Sequence, residues 1–310
     1  MSSTDRGRPR FRLSPLAIGA SIPVLTLTAL LFIPYALLFI QSFWRLRGGA
    51  IVHELTLDNY RRLLGTDLYP DTIIFSAGIA LQVTVLSFLL AYPLAYLLAF
   101  KLRRHRNLAY LLVIVPLWVS YLVRAYAWKI ILGQEGILNG LLLATGIIDA
   151  PLSALLYSRW AVIVALTHIY VPFTLMPIFA VLEAIPPGLR EASHDLYAGS
   201  WQTFRRVVFP LSLPGVVAGS TFAFVLSMGD FLAPQLLGGN DSALMVSNLV
   251  WSLFGVAYNW PLGAAVSVAM VLLAMLLLWL VGRVEAKVGW TGARTEGRII
   301  TARISGAARP

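Results

Sequence analysis

Asp230 stands inside an otherwise apolar run from Leu211 to about Leu237, where a carboxylate has few permissible uses. In hydrocarbon it costs roughly 2.5 to 3.5 kcal/mol on insertion scales, so it must face protein or a water-filled path. Met228-Gly229 before it and Pro234 after it disrupt helix regularity and can turn carbonyls toward a cavity. Counted from Leu211, it lies about 9 Å past the middle of its run, on the outer side. Two uses stay open. Asp230 can meet a cation on a polar path, or it can be the counter-ion of Arg124 or Lys129, which occupy a similar depth in the run from about Leu108 to Leu132. Tyr126 and Trp128 beside them supply ring faces to a cation. The same cluster, with Tyr121, also suits simple anchoring at a membrane interface. His168, within the run from Trp160 to Ile185, reads as a hydrogen-bonding partner for a neighbouring helix. Glu183, near the inner end of that run, reads as interfacial.

The chemistry that is missing narrows the function. No Gly-Lys-Ser/Thr phosphate loop exists, since Lys101, Lys129 and Lys287 follow Phe100, Trp128 and Ala286. ATP therefore cannot bind in the Walker manner. His53-Glu54 lacks a second histidine at ligand spacing, His105 and His194 fall in polar loops, and cysteine is absent. No nucleophile, base and orienting group can be assembled. No metal or organic cofactor is called for.

Another polar segment, residues 186–210, interrupts the apolar runs for longest. Pro186 and Pro187 suit the start of a short helix and Gly199 its end, with Ser200 expected to cap a second short helix. Leu189, Ala192 and Leu196 form one apolar stripe on an otherwise charged rod. Held between two spans, such a stripe fits insertion into a soluble partner. It equally fits a loop lying on lipid headgroups.

The elements that position these groups are set by composition. Hydrophobic residues make up 58% of the chain and charged residues 12%, with a mean hydropathy of +0.78. That excess needs a bilayer as solvent. Six spans are expected: Leu16–Trp44, Thr72–Phe100, Leu108–Leu132, Trp160–Ile185, Leu211–Leu237 and Pro261–Val284. Ile137–Ile148 and Leu244–Tyr258 are expected as short helices outside, the first being too brief to cross about 30 Å of hydrocarbon. The first run is too long for a cleaved signal peptide and is followed by no small-x-small site. Basic residues at 101–106, in the first tail, after Leu280 and in residues 186–210 account for 17 of the 24 Lys and Arg residues. This asymmetry places both termini and the 186–210 loop inside. It also explains the net charge of +10 without nucleic acid. The domains are then a tail at 1–15, a transmembrane domain at 16–285 and a basic tail at 286–310.

The polar segment resembles the coupling loop of ABC-importer permeases, which runs Glu-Ala-Ala, a short spacer, Gly, a longer spacer and then a hydrophobic residue with x-x-Pro. Glu191, Ala192 and Ser193 match its start, and Leu211 and Pro214 its end. The family glycine falls on Tyr197, and Gly199 is expected to supply the bend instead. Arg124–Trp128, Gly229–Gly239 and Asn259–Ala264 resemble permeases of the spermidine/putrescine type, and the likeness covers roughly residues 15–285. It implies an all-α integral membrane protein with six spans in the bacterial inner membrane. It also implies two ATP-binding subunits, a second permease subunit and an extracytoplasmic solute-binding protein as partners. On this resemblance Leu189, Glu191, Ala192, Ser193, Leu196, Tyr197 and Gly199 contact the ATPase, and Asp230, Arg124, Tyr126 and Trp128 line the solute path. The same resemblance admits another small solute. An ion-coupled carrier, the rival class, should show several midplane acids or histidines, and only Asp230 and His168 qualify.

Overall fold

The computed structural model describes residues 15–102, 104–239 and 243–306. The arginine-rich tail expected at the N-terminus and Arg103 lie outside these residues. Helix α1, Pro15–Gln41, runs through Pro23 and Pro34 to a small hairpin, β1 Arg45–Arg47 and β2 Ala50–Val52. Gly48 and Gly49 turn it with φ of 59° and 83°, left-handed values that match the twist of the strands and suit glycine. Helix α2, Asp58–Gly65, is tied back by an Arg45–Asp58 ion pair and by the Asn59 amide, which donates to the carbonyls of Ser42 and Trp44 at 2.8 and 2.7 Å. The loop expected at 45–71 is thus an ordered cap, and it adds a two-stranded element to a fold expected to be all helical.

The remaining helices are α3 Leu68–Phe100, α4 Arg106–Ile114, α5 Tyr121–Leu132, α6 Ile137–Ala144, α7 Arg159–Ala184, α8 Pro187–Asp195, α9 Ser200–Thr203, α10 Phe209–Gly229, α11 Leu232–Leu237, α12 Val246–Gly255 and α13 Trp260–Gly306. Five helical stretches are long and apolar enough to cross a membrane: Pro23–Gln41, Leu68–Phe100, Arg159–Ala184, Ser200–Gly229 and Trp260–Arg283. A sixth exists if Arg106–Trp118 and Tyr121–Ala144, which meet at 93°, form one broken span.

Two expected spans are corrected. The third is not one rod from Leu108 to Leu132. Pro116 enters a 3₁₀ turn at Val115–Trp118, and Val119 and Ser120 are extended, with ψ of 135° and 136°. The missing proline N–H and the extended pair together end α4 and restart the chain as α5. The fifth span is displaced toward its beginning. Helix runs from Ser200 through a π turn at Phe204–Val208 to Gly229, and α11 is a separate piece. The second short helix expected in the 186–210 segment is therefore the start of this span.

Helices α3, α7 and α10 pack as the centre. On α7, Ile163, Leu166, Ile169, Leu175, Ile178 and Leu182 are fully buried. By contrast α1 exposes Leu27, Leu30 and Phe32, each above 60%, as a helix solvated by lipid tails does. Between apolar surfaces in lipid, close packing replaces the hydrophobic effect, and small residues permit it. Along α10, Ser212, Gly215, Gly219, Ala223 and Ser227 form a buried stripe. A Cβ at Gly215 would stand 2.7 Å from the Pro177 carbonyl oxygen, and one at Gly219 would stand 2.5 Å from that of Thr174. Gly219→Val should therefore force α10 off α7 and lower stability by about 1 to 3 kcal/mol. Thermal unfolding of detergent-purified protein checks this, with the exposed Phe222→Leu expected to be near neutral.

Candidate functional site

Asp230 lies at the break between α10 and α11. It is extended, with ψ of 125°, and is only 7% exposed. One carboxylate oxygen, Oδ1, accepts the main-chain N–H groups of Leu232 and Ala233 at 3.0 and 3.1 Å, two of the donors that the start of α11 leaves unpaired. The other, Oδ2, accepts the hydroxyls of Tyr170, at 2.6 Å, and of Tyr121. Four donors thus hold a buried charge that hydrocarbon would otherwise reject. Helix α12 fastens the break from the other side. Ser247 Oγ donates to the Asp230 carbonyl at 2.5 Å, and Asn248 Nδ2 to that of Phe231 at 2.8 Å. A cavity of about 360 Å3 opens beside the carboxylate, lined by Tyr121, Tyr170, Leu226, Gly229 and Phe231.

The alternative of a counter-ion is not realised. Among the described residues Asp230 forms no ion pair. The Arg124 guanidinium stands over the Tyr121 ring, 5.8 Å from its centroid, and its Nε and Nη1 are buried without a hydrogen-bond partner. The Lys129 ammonium lies over Tyr157, at 5.9 Å. The helix break explains this outcome: it aims the carboxylate at the phenols of α5 and α7, which together with two N–H groups at the start of α11 satisfy it first.

The other candidates for the path separate. Trp128 lines a different cavity, of about 740 Å3 between α3, the α4–α5 bend and α7, together with Pro116, Thr167 and His168. Its Nε1 donates to His168 Nδ1 at 3.2 Å, the interhelical bond expected of that histidine. Tyr126 is exposed on α5 and is not brought to Asp230. Glu183 pairs with Arg106, whose guanidinium also covers Phe179, and so joins the basic turn to α7. Tyr170, Ser247 and Asn248 complete the surroundings of Asp230 beyond the residues expected from sequence, where their signal is a polar group within an apolar stretch.

At the opposite end, α8 begins at Pro187 and stops at Asp195. The bend does not fall on Gly199, which is extended at φ −65° and caps α9. It falls on Tyr197, whose φ is +56°. Two hydrogen bonds explain the position. Tyr197 N–H donates to the His194 carbonyl at 2.9 Å, and Ala198 N–H to that of Ser193 at 3.1 Å. This is the Schellman closure, which needs a left-handed residue where Tyr197 stands. Ser193 Oγ and Thr203 Oγ1, 2.9 Å apart, join α8 to α9, and the Arg190 guanidinium lies 4.3 Å from the Phe100 ring centre at the end of α3. Leu189, Glu191, Ala192, Leu196, Tyr197 and Gly199 are exposed on this rigid corner, and Ser193 is half-buried. Gly199 rather than Ser200 occupies the capping position of α9, because Ser200 is already its first helical residue.

Comparison with known proteins gives concordant results. A family model described as "binding-protein-dependent transport system inner membrane component" matches residues 91–290. The spermidine/putrescine transport system permease protein PotB of Escherichia coli K12 is 36% identical over 265 residues, covering 84% of this chain and 95% of its own. The protein of that name from Haemophilus influenzae is 35% identical, over 80% of this chain and 86% of its own. The fold is shared with a chain of a bacterial alginate ABC transporter solved in complex with an alginate-bound periplasmic protein. That chain superposes with a TM-score of 0.67 at 17% identity, covering 88% of this chain and 95% of its own.

Proposed function

From the membership of this chain in the family of binding-protein-dependent transport system inner membrane components, which makes it a multi-pass inner membrane protein, we propose that it is the permease subunit of an ATP-binding-cassette importer for the polyamines spermidine and putrescine. The observation that carries the solute is the 35–36% identity, over at least 80% of this chain, to two permeases so named. The proposed assembly contains two ATP-binding subunits, a second permease subunit and an extracytoplasmic solute-binding protein. Six spans with both termini in the cytoplasm put α8 against an ATP-binding subunit and the Asp230 cavity toward the outer side. ATP-driven closure would press on α8 and rock α7 and α10, to which the corner is joined covalently. A polyammonium solute would then exchange with the two phenols around Asp230, trading neutral donors for charged ones.

Uptake of radiolabelled spermidine by cells whose own polyamine uptake is deleted tests this, with the complete transporter supplied with and without this chain. Uptake that depends on the chain is expected. Dependence for a different solute alone would overturn the solute class and keep the permease.

The orientation has its own check, made possible by the absence of cysteine. A cysteine at Gly49, in the exposed hairpin turn, should react with an impermeant thiol reagent in intact cells. Cysteines at Arg104 or Gly199 should be shielded. Labelling of position 104 from outside would invert the topology.

A further inference from the structure

The segment Asn259–Ala264 and the histidine of the outer hairpin play no part in the site at Asp230, yet the fold brings them together. The hairpin pairs Arg45 with Val52. The residues one step beyond that pair, Trp44 and His53, therefore stand opposite each other, and their rings meet edge to face with centroids 4.2 Å apart and planes at 78°. The facing wall comes from the start of α13. Tyr258, with φ of 49°, takes a left-handed conformation that residues other than glycine adopt at a cost. It turns the chain sharply after α12, and the Asn259 N–H closes the turn by donating to the Leu253 carbonyl at 2.8 Å. Asn259 Oδ1 then accepts the Leu262 N–H at 3.3 Å and caps α13. Trp260 is thereby brought to the hairpin, with the Phe254 ring of α12 against it at 6.1 Å. Trp44, His53 and Trp260 line one cavity of about 220 Å3 together with Gln41, Ile51 and Pro261.

The lining decides what such a cavity takes. Indole faces are the best aromatic acceptors for a cation, and Gln41 brings an amide oxygen able to accept an ammonium N–H. No lysine, arginine or acid lines the cavity. The cap around it is balanced in charge, with Arg45, Arg47, Arg61 and Arg62 set against Glu54, Asp58, Asp67 and Asp71, and Arg45, next to Trp44, is paired with Asp58. A cation therefore meets no unopposed positive field there. Rings that only anchor a span at the membrane surface need no shared cavity.

We propose that Trp44, His53 and Trp260 form an aromatic cage for an alkylammonium group, separate from the cavity at Asp230. Two sources share that chemistry, a terminal ammonium of a polyamine and the ethanolamine headgroup of a phospholipid. The cage stands on its own rings, and the solute reading enters only through the choice of spermidine as one probe. The test is fluorine magnetic resonance of the purified transporter labelled with fluorotryptophan, in lipid discs of phosphatidylglycerol, where Trp44→Phe and Trp260→Phe identify the two resonances. Butylammonium should shift both and saturate, while butanol, of similar size but uncharged, should leave them in place. Trp260 is 45% exposed, so Trp260→Leu should melt like the parent protein. Its affinity for butylammonium, read at Trp44, should nevertheless fall about threefold to thirtyfold, the range of one cation–π contact. Trp260→Phe, which keeps a ring, should lose less. Equal shifts with butanol would overturn the cage and make the cavity merely apolar, and so would undiminished affinity in a stable Trp260→Leu protein. Spermidine added to the discs, or phosphatidylethanolamine blended into them, then identifies the source: shifts with spermidine assign the solute, and shifts with phosphatidylethanolamine alone assign the headgroup. If spermidine uptake depends on this chain while both resonances ignore every ammonium, the permease reading stands and the cage alone falls.

Discussion

Glu191→Lys is expected to abolish ATP-dependent uptake while the protein still inserts and melts normally. Glu191 is exposed on α8 and makes no hydrogen bond or ion pair among the described residues, so its replacement disturbs nothing inside the chain. Helix α8 keeps its start at Pro187, its closure through Tyr197 and Ala198 and its tie to α9 through Ser193, none of which involves the Glu191 side chain. Any large effect must therefore pass through a partner. Reversing a charge at a docking surface replaces attraction or neutrality with repulsion and desolvation, at about 2 to 5 kcal/mol. That is enough to empty most of an assembly. Co-purification of the ATPase with tagged protein, its solute-stimulated hydrolysis and uptake are the three readouts, and all three should fall together. A mutant that retains its ATPase in full, with stimulated hydrolysis, would remove α8 from the coupling interface.

The extent to which this was legible in sequence follows from where each signal resides. Length and hydropathy located the second, fourth and sixth runs, because a buried or lipid-facing helix declares itself locally: α7 at Arg159–Ala184 lies within one residue of the expected Trp160–Ile185. Proline was a poor guide. Pro93, Pro172, Pro177 and Pro214 all sit inside continuous helices, whereas Pro116 marks a break. The difference is made by the extended pair Val119-Ser120 that follows it, which residue type alone does not encode. Intrinsic preference puts the bend of the 186–210 corner on Gly199, yet two main-chain hydrogen bonds place it on Tyr197. The left-handed residue falls where the resemblance aligns the family glycine, and the local preference is overruled. The partners of Asp230 were illegible for another reason. Tyr121 and Tyr170 lie 109 and 60 residues away, and only the packing of α5, α7 and α10 brings them together. An arginine at the right depth offered a counter-ion on paper. The direction of the helix break decided for the phenols.

Those partners sharpen what should follow from changing Asp230. Asp230→Asn keeps an oxygen for the N–H groups of Leu232 and Ala233. Its amide nitrogen can donate to a phenol oxygen, and the Tyr170 hydroxyl can turn to the Leu226 carbonyl, 3.3 Å away. The amide variant should accordingly retain nearly normal thermal stability while its charge is gone. Asp230→Ala instead strands the Tyr121 hydroxyl and two N–H groups in a buried place, each at about 1 to 3 kcal/mol, and should melt well below the parent protein. If the carboxylate meets an ammonium of the solute, Asp230→Asn should lower polyamine uptake by about tenfold to a hundredfold, the worth of one charged hydrogen bond. ATP hydrolysis should continue in that variant, uncoupled from transport. The ion-pair alternative makes the opposite forecast: the Asn variant would be unstable, and adding Arg124→Gln would restore it. Because Arg124 rests on Tyr121 and makes no ion pair with Asp230, no such rescue is expected. Melting temperature and uptake, measured on Asp230→Asn, Asp230→Ala and the Asp230→Asn/Arg124→Gln double variant, separate the two roles. Normal uptake by a stable Asp230→Asn protein would exclude the charge from the solute path and leave Asp230 as the pin that holds α11 to α5 and α7.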